Sequence, residues 1–163
     1  MKKALLLLLA LLLAGCAKAD VYETVTDEAV QSVSAQPREI RFDLSQDPVL
    51  PAMESDSGTL YLCGDFDVVV NTCPSGDLQN TVREVSGFLP EELTLIQTGT
   101  GDVSRYEFVW TSAVDTGQQI GRATILDDGN YHYTLSATVD AELIEEYREI
   151  WNGIFESFQL AEY

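Results

Sequence analysis

Few residues in this chain are of types that do chemistry by themselves. There is one histidine, His132, and three cysteines, Cys16, Cys63 and Cys73. A histidine works as a general base only with a nucleophile or a substrate proton within hydrogen-bond reach. Ser136 and Thr134 share its strand face by parity, but the Gly-x-Ser-x-Gly turn that presents a nucleophilic serine is absent from the sequence. Parity sets His132 opposite Tyr131 and Tyr133, facing solvent or lying in a second layer. Zinc asks for three or four His, Cys or carboxylate ligands. One histidine and two cysteines do not supply a conventional site, so neither metal nor cofactor is expected. For calcium the best clusters are Asp65-x-Asp67 and Asp127-Asp128-Gly129-Asn130. Neither fits a twelve-residue loop with glycine at 6 and glutamate at 12, and Asp-Gly is turn chemistry first. Two carboxylates could hydrolyse a glycoside, yet no pair stands out from the general acidity. Gly99-Thr100-Gly101 lacks the lysine and helix of a phosphate loop. No catalytic residue is assigned, and no enzyme is expected.

Cys63 and Cys73 pose a geometric alternative. An even pair outside the cytoplasm suggests a disulfide. Gly64-Asp65 between two apolar runs, however, reads as a two-residue hairpin turn. The hairpin sets Cys63 against Phe66 and leaves Cys73 seven residues further along a strand. That is roughly 23 Å of extended chain, whereas bridged Cα atoms lie within about 7 Å. Hairpin and bridge exclude each other, and the sequence leaves both open.

The third cysteine has a different setting. Met1, Lys2 and Lys3 precede an unbroken apolar run over residues 4–13. A spanning helix needs about 20 residues, so this run reads as the core of a secretion signal. It closes on Leu13-Ala14-Gly15-Cys16, which resembles the lipobox of bacterial lipoproteins. The resemblance implies a signal peptide over residues 1–15 and a diacylglyceryl group on the Cys16 thiol, with palmitate among the acyl chains. It further implies lipid anchoring at the outer face of a membrane of the cell envelope. Two or more acyl chains hold firmly where one holds reversibly.

Composition narrows the partners. Nine Lys and Arg oppose 27 Asp and Glu, a net charge of −18. Lys2 and Lys3 precede Cys16, so from there on seven basic residues face 27 acidic ones, a formal charge of −20. That argues against nucleic acid, whose binding rests on Lys and Arg neutralising phosphates, and against an anionic lipid surface as ligand. A basic partner is permitted, although acidity also serves solubility.

The elements follow from periodicity. Residues 16–37 read as a lipidated cysteine and flexible tether, and residues 38–163 as one domain. Residues 38–44 alternate, with Ile40, Phe42 and Leu44 on one side. Residues 59–63 and 66–72 are further strands, and Val68-Val69-Val70 implies burial on both faces. Asp77 N-caps a helix with Leu78, Val82 and Val85 on its apolar stripe and Gly87 just past its end. Strands follow at 93–98, 104–111 and 118–126. A turn at Asp127-Asp128-Gly129-Asn130 leads to a strand with Tyr131, Tyr133, Leu135, Ala137 and Val139 on its core face. Tyr106, Phe108, Trp110 and Trp151 sit at core spacing, with a ligand groove between sheet and helix as the alternative. Asp140 caps a last helix whose core face is Leu143, Tyr147, Ile150, Trp151, Ile154 and Phe158. Together these predict an α+β domain, helices packed on a twisted antiparallel sheet.

The run Arg122-Ala123-Thr124-Ile125-Leu126-Asp127-Asp128-Gly129-Asn130-Tyr131-His132-Tyr133, and the closing Ile154-Phe155-Glu156-Ser157-Phe158-Gln159-Leu160, resemble PsbP-like domains. The resemblance covers residues 59–160 in element order and implies an α/β/α sandwich and a non-enzymatic accessory or binding role. It carries no functional residue over, and fold alone does not give function. The leading expectation is a lipid-anchored, non-catalytic accessory or binding module meeting a membrane-associated protein. The alternatives are a solute-binding lipoprotein serving a transporter and a small envelope hydrolase.

Overall fold

The computed structural model describes residues 36–44, 49–115 and 117–161. The expected secretion signal, Cys16 and the expected tether up to residue 35 lie outside the described residues. In chain order the elements are β1 (Ile40–Arg41), β2 (Met53–Glu54), β3 (Gly58–Leu62), β4 (Phe66–Pro74), α1 (Leu78–Ser86), β5 (Ile96–Thr100), β6 (Val103–Val114), β7 (Gly117–Asp127), β8 (Tyr131–Asp140), α2 (Ile144–Ser157) and β9 (Gln159–Leu160). Among the described residues, an antiparallel sheet runs in the order β2-β3-β4-β8-β7-β6-β5. β1 and β9 pair separately. The expected α+β class and antiparallel sheet are those of the molecule.

The sheet is apolar on both faces, so each takes a helix. Phe66, Val68 and Val70 from β4 and Tyr133, Leu135, Ala137 and Val139 from β8 meet Trp151, Ile154 and Phe155 of α2 and Phe158 beyond it. On the other face Phe108, Trp110, Ala123 and Ile125 close over Val82 of α1. Fully burying one such side chain contributes roughly 1.5–3 kcal/mol. α1 forms as its sequence dictates. The Asp77 carboxylate accepts from the Gln79 amide, and Gly87, at φ 81, donates to the Arg83 carbonyl at the other end.

Gly64 takes φ 84, and the Cys63 amide donates to the Phe66 carbonyl at 2.9 Å. This is the hairpin turn. It excludes the Cys63–Cys73 disulfide: extended β4 separates the two residues, Cys73 pairs across to His132, and both thiols are free. Other expectations are corrected at their edges. The alternating run 38–44 forms only the two-residue β1, and it pairs with the end of the chain instead of joining the main sheet. The strand expected at 93–98 begins at Ile96, because Pro90–Glu92 makes a 3-10 turn and Leu93 and Leu95 pack against the second core instead. Asp140 makes no capping bond, since a 3-10 turn over Ala141–Leu143 separates it from α2.

A polar clasp holds α2 down. Arg105 on β6 donates to the carbonyls of Phe155 at 2.7 Å and Phe158 at 3.1 Å, occupying acceptors that a helix C-terminus leaves open. Glu107 lies 3.2 Å from Arg105 and 3.6 Å from Arg122, and Arg122 stacks 4.5 Å over the Phe155 ring. The packing of the opposite face can be tested at Gly121, which lies under its cross-strand partner Trp110. A Cβ there would come within 2.1 Å of the indole. Gly121→Ala is expected to destabilise the domain by about 1–3 kcal/mol through overpacking, read as a lower urea midpoint with altered tryptophan emission.

Candidate functional site

His132 lies on β8 with 1% of its surface exposed. Of the two positions expected for it, the structure gives the second layer: the side chain is sandwiched between sheet and α1. Its Nδ1 is 2.7 Å from the Thr81 hydroxyl. Its Nε2 is 3.4 Å from the Ser75 hydroxyl and 3.7 Å from an Asp127 carboxylate oxygen, and Ser75 donates to Asp127 at 3.3 Å. Thr81 also bonds the thiol of Cys73, the cross-strand neighbour of His132. Here, then, are a cysteine, a histidine, two hydroxyls and a carboxylate in one cluster, which the sequence scatters over residues 73–132.

Its geometry is that of a lock between helix and sheet. In a nucleophilic triad the acid and the nucleophile occupy opposite ring nitrogens. In this cluster Ser75 and Asp127 share Nε2, while Nδ1 faces a buried threonine on the helix. Burial pushes the Cys73 thiol up against the lowering bond to Thr81, and Glu84 adds to the rise. The thiol is thereby kept protonated, and the thiolate is the nucleophile. Ser136 and Thr134 share the histidine's face without joining the cluster.

Of the aspartates considered for calcium, Asp127 and Asp128 are engaged in turn chemistry. Asp127 accepts from the Gly129 amide, and Asp128 from the amides of Asn130 and Tyr131 at 2.9 and 2.8 Å and from the Tyr133 hydroxyl at 2.8 Å. Burial alone would raise the Asp128 carboxyl. Those donors and Arg38 more than offset it and hold the group below the ordinary range. Asp65 accepts from Tyr147 at 2.7 Å, which pushes that phenol up to about 12.

Concavity is found elsewhere, where β6 outruns β5. β5 covers β6 only from Val103 to Glu107. Beyond that point an open groove of about 610 Å³ runs between β6 and the segment linking α1 to β5. Phe88, Leu93, Ile96, Phe108 and Trp110 supply its apolar walls, and Glu92 and Glu107 its acidic groups. Ile96 is 58% exposed and Val109 56%. Val109 and Arg122 also line a neighbouring hollow of about 440 Å³ against Ile144 and Trp151 of α2. Sequence reading placed Phe108 and Trp110 in a core and passed over Phe88, Ile96 and Val109. Val109, an apolar residue following Arg105 and Glu107 on the polar side of an alternating strand, was the available signal.

No family model and no curated protein matches the chain. Among solved structures it is similar to cyanobacterial PsbP from Synechocystis sp. PCC 6803, at 8% identity over 70% of this chain and 80% of that one, with a TM-score of 0.49. It is also similar to LpqN of Mycobacterium tuberculosis, a protein involved in cell envelope biogenesis, at 14% identity over 79% and 88%, with a TM-score of 0.49.

The buried histidine predicts a pH effect on stability. Burial lowers the His132 pKa, and the nearby Asp127 and Asp128 charges offset this only in part. The unfolded chain therefore takes up a proton near pH 6.5 that the folded chain takes up only at lower pH. Stability is full above that value and falls as pH drops through it. Urea midpoints between pH 8 and 5 should fall for the wild type and stay nearly level for His132→Gln. Parallel curves for the two proteins would remove His132 as the titrating group.

Proposed function

We propose that this protein is a lipid-anchored module of the cell envelope that binds a membrane-associated partner and carries out no catalysis. The groove beside β6 is the observation that carries the reading. It combines large exposed apolar side chains with a concave, partly acidic wall on a chain of net charge −18. Isolated surface apolar residues need no explanation, but a contiguous patch in a groove marks a binding site. Anchorage is argued from Leu13-Ala14-Gly15-Cys16. It would hold the groove at the outer face of a membrane, where neighbours are membrane proteins.

A second reading has one observation in its favour. The groove's volume falls in the roughly 300–1,000 Å³ range of small-molecule sites, which suits a solute-binding lipoprotein serving a transporter. Its open form favours a protein segment. The hydrolase alternative loses support, because the histidine it needs is enclosed and occupied at both ring nitrogens.

The test joins both halves of the proposal. Cys16→Ala should abolish acyl labelling and release the protein from the membrane fraction. A photo-crosslinking residue at position 109 should trap one membrane protein in cells carrying the wild-type anchor, and a control at exposed Asp56 should not. Equal membrane association of wild type and Cys16→Ala would refute the anchor. Identical patterns from positions 109 and 56 would refute the groove.

A further inference from the structure

The groove has a backbone as well as walls. β6 spans twelve residues, and in the sheet it has β7 along its length on one side. On its other side β5 pairs with Val103 to Glu107. Residues 108–114 therefore have a single neighbour among the described strands, and no further backbone hydrogen bond there reaches them. This is a free edge seven residues long, of sequence Phe-Val-Trp-Thr-Ser-Ala-Val.

Natural proteins shield such an edge with lysine, proline, a bulge or extreme shortness. The opposite edge of this sheet obeys the rule, ending in β2 of two residues. Residues 108–114 contain no charge and no proline. Their side chains alternate between two hollows: Phe108 and Trp110 line the main groove, and Val109 also lines the hollow against α2. A strand added here would find backbone partners along the edge and a recess for its side chains on each face. That is the arrangement by which exposed sheet edges take up peptides.

Charge selects the occupant. A second copy could pair edge to edge, but each copy carries −18, and two such copies repel. Arg122, the cation in the groove, is already held by Glu107 at 3.6 Å and Asn152 at 2.9 Å. Glu92 stands exposed on the wall, with Glu91 exposed next to it in sequence. We infer that residues 108–114 accept, as an eighth strand, an extended partner segment of alternating apolar and basic residues. The inference rests on the groove being the docking site and adds how it is filled.

The probe is a capped six-residue peptide of alternating lysine and valine, offered to the full chain in detergent. Hydrogen–deuterium exchange should show protection gained at residues 108–114. Methylating alternate amide nitrogens of the peptide removes its backbone donors and keeps every side chain. Affinity should then fall at least about tenfold, as should that of the glutamate–valine counterpart. Glu92→Gln, whose amide oxygen can still accept from the Leu89 amide, should weaken the lysine peptide without touching the edge. Unchanged affinity after methylation overturns strand addition, as does protection confined to other strands. A dimer formed through residues 108–114 at neutral pH overturns the choice of occupant. If the edge fails while position 109 still crosslinks a partner in cells, the docking groove stands and only its mode of filling is wrong. Loss of both removes the groove itself.

Discussion

Strand β8 lies in the middle of the sheet with both faces out of water, and the remaining architecture answers that condition. Tyr133, Leu135, Ala137 and Val139 must be covered on one side, while His132 and Thr134 must be both covered and satisfied on the other. The two coverings differ in kind. α2 meets an apolar surface with an apolar stripe, and the clasp of Arg105, Glu107 and Arg122 fixes its far end. α1 meets a surface containing an imidazole, so it must bring a partner for it, and Thr81 is that partner. A buried polar group left unmade costs about 1–3 kcal/mol, so α1 is held in register as well as held down.

That arrangement separates stability from binding. The cluster with the types of an active site, Cys73, Ser75, Thr81, Asp127 and His132, is centred on a buried imidazole, and its side chains bond chiefly to one another. The accessible surface with binding character is built from residues of no intrinsic reactivity, along a strand that its neighbour covers only in part. Reactive side chains alone point to a cluster whose bonds are already spent. Concavity, exposure and an unpaired backbone point to the sheet edge.

Much of the fold was legible because local signals agreed. Asp77 and Gly87 bracket α1 as helix caps do, and Gly64-Asp65 closes its hairpin, whereas Val68-Val69-Val70 misled: β4 buries Val68 and Val70 but leaves Val69 exposed, so only one of its faces is covered there. Nothing on the strand itself could foretell that His132 is buried. Parity alone could not, because it gives the face of a side chain and not whether a helix covers that face. The groove was illegible for a related reason. It arises from a difference in length between β5 and β6, and the 3-10 turn at Pro90–Glu92 that delays β5 leaves little trace in hydrophobic period. Phe155, fully buried, falls beside the stripe predicted for α2 and is enclosed because Arg122 lies across its ring.

The small β1–β9 pair ties residue 40 to residue 160, near the two limits of the domain. Around it the Arg38 amide donates to the Tyr133 hydroxyl, the Arg38 guanidinium to the Ala161 carbonyl and the Asp43 amide to Ser157. Any tension arriving along the chain ahead of residue 36 enters at this clip before it reaches the sheet. The load passes first through a few hydrogen bonds, to Ser157 at the end of α2, to Ala161 and to the Tyr133 hydroxyl, and not through the strand-to-strand ladders of the sheet. The clip thus acts as a mechanical fuse. It can yield and re-form beside Val103 and Arg105, at the end of β6 away from Phe108 and Trp110.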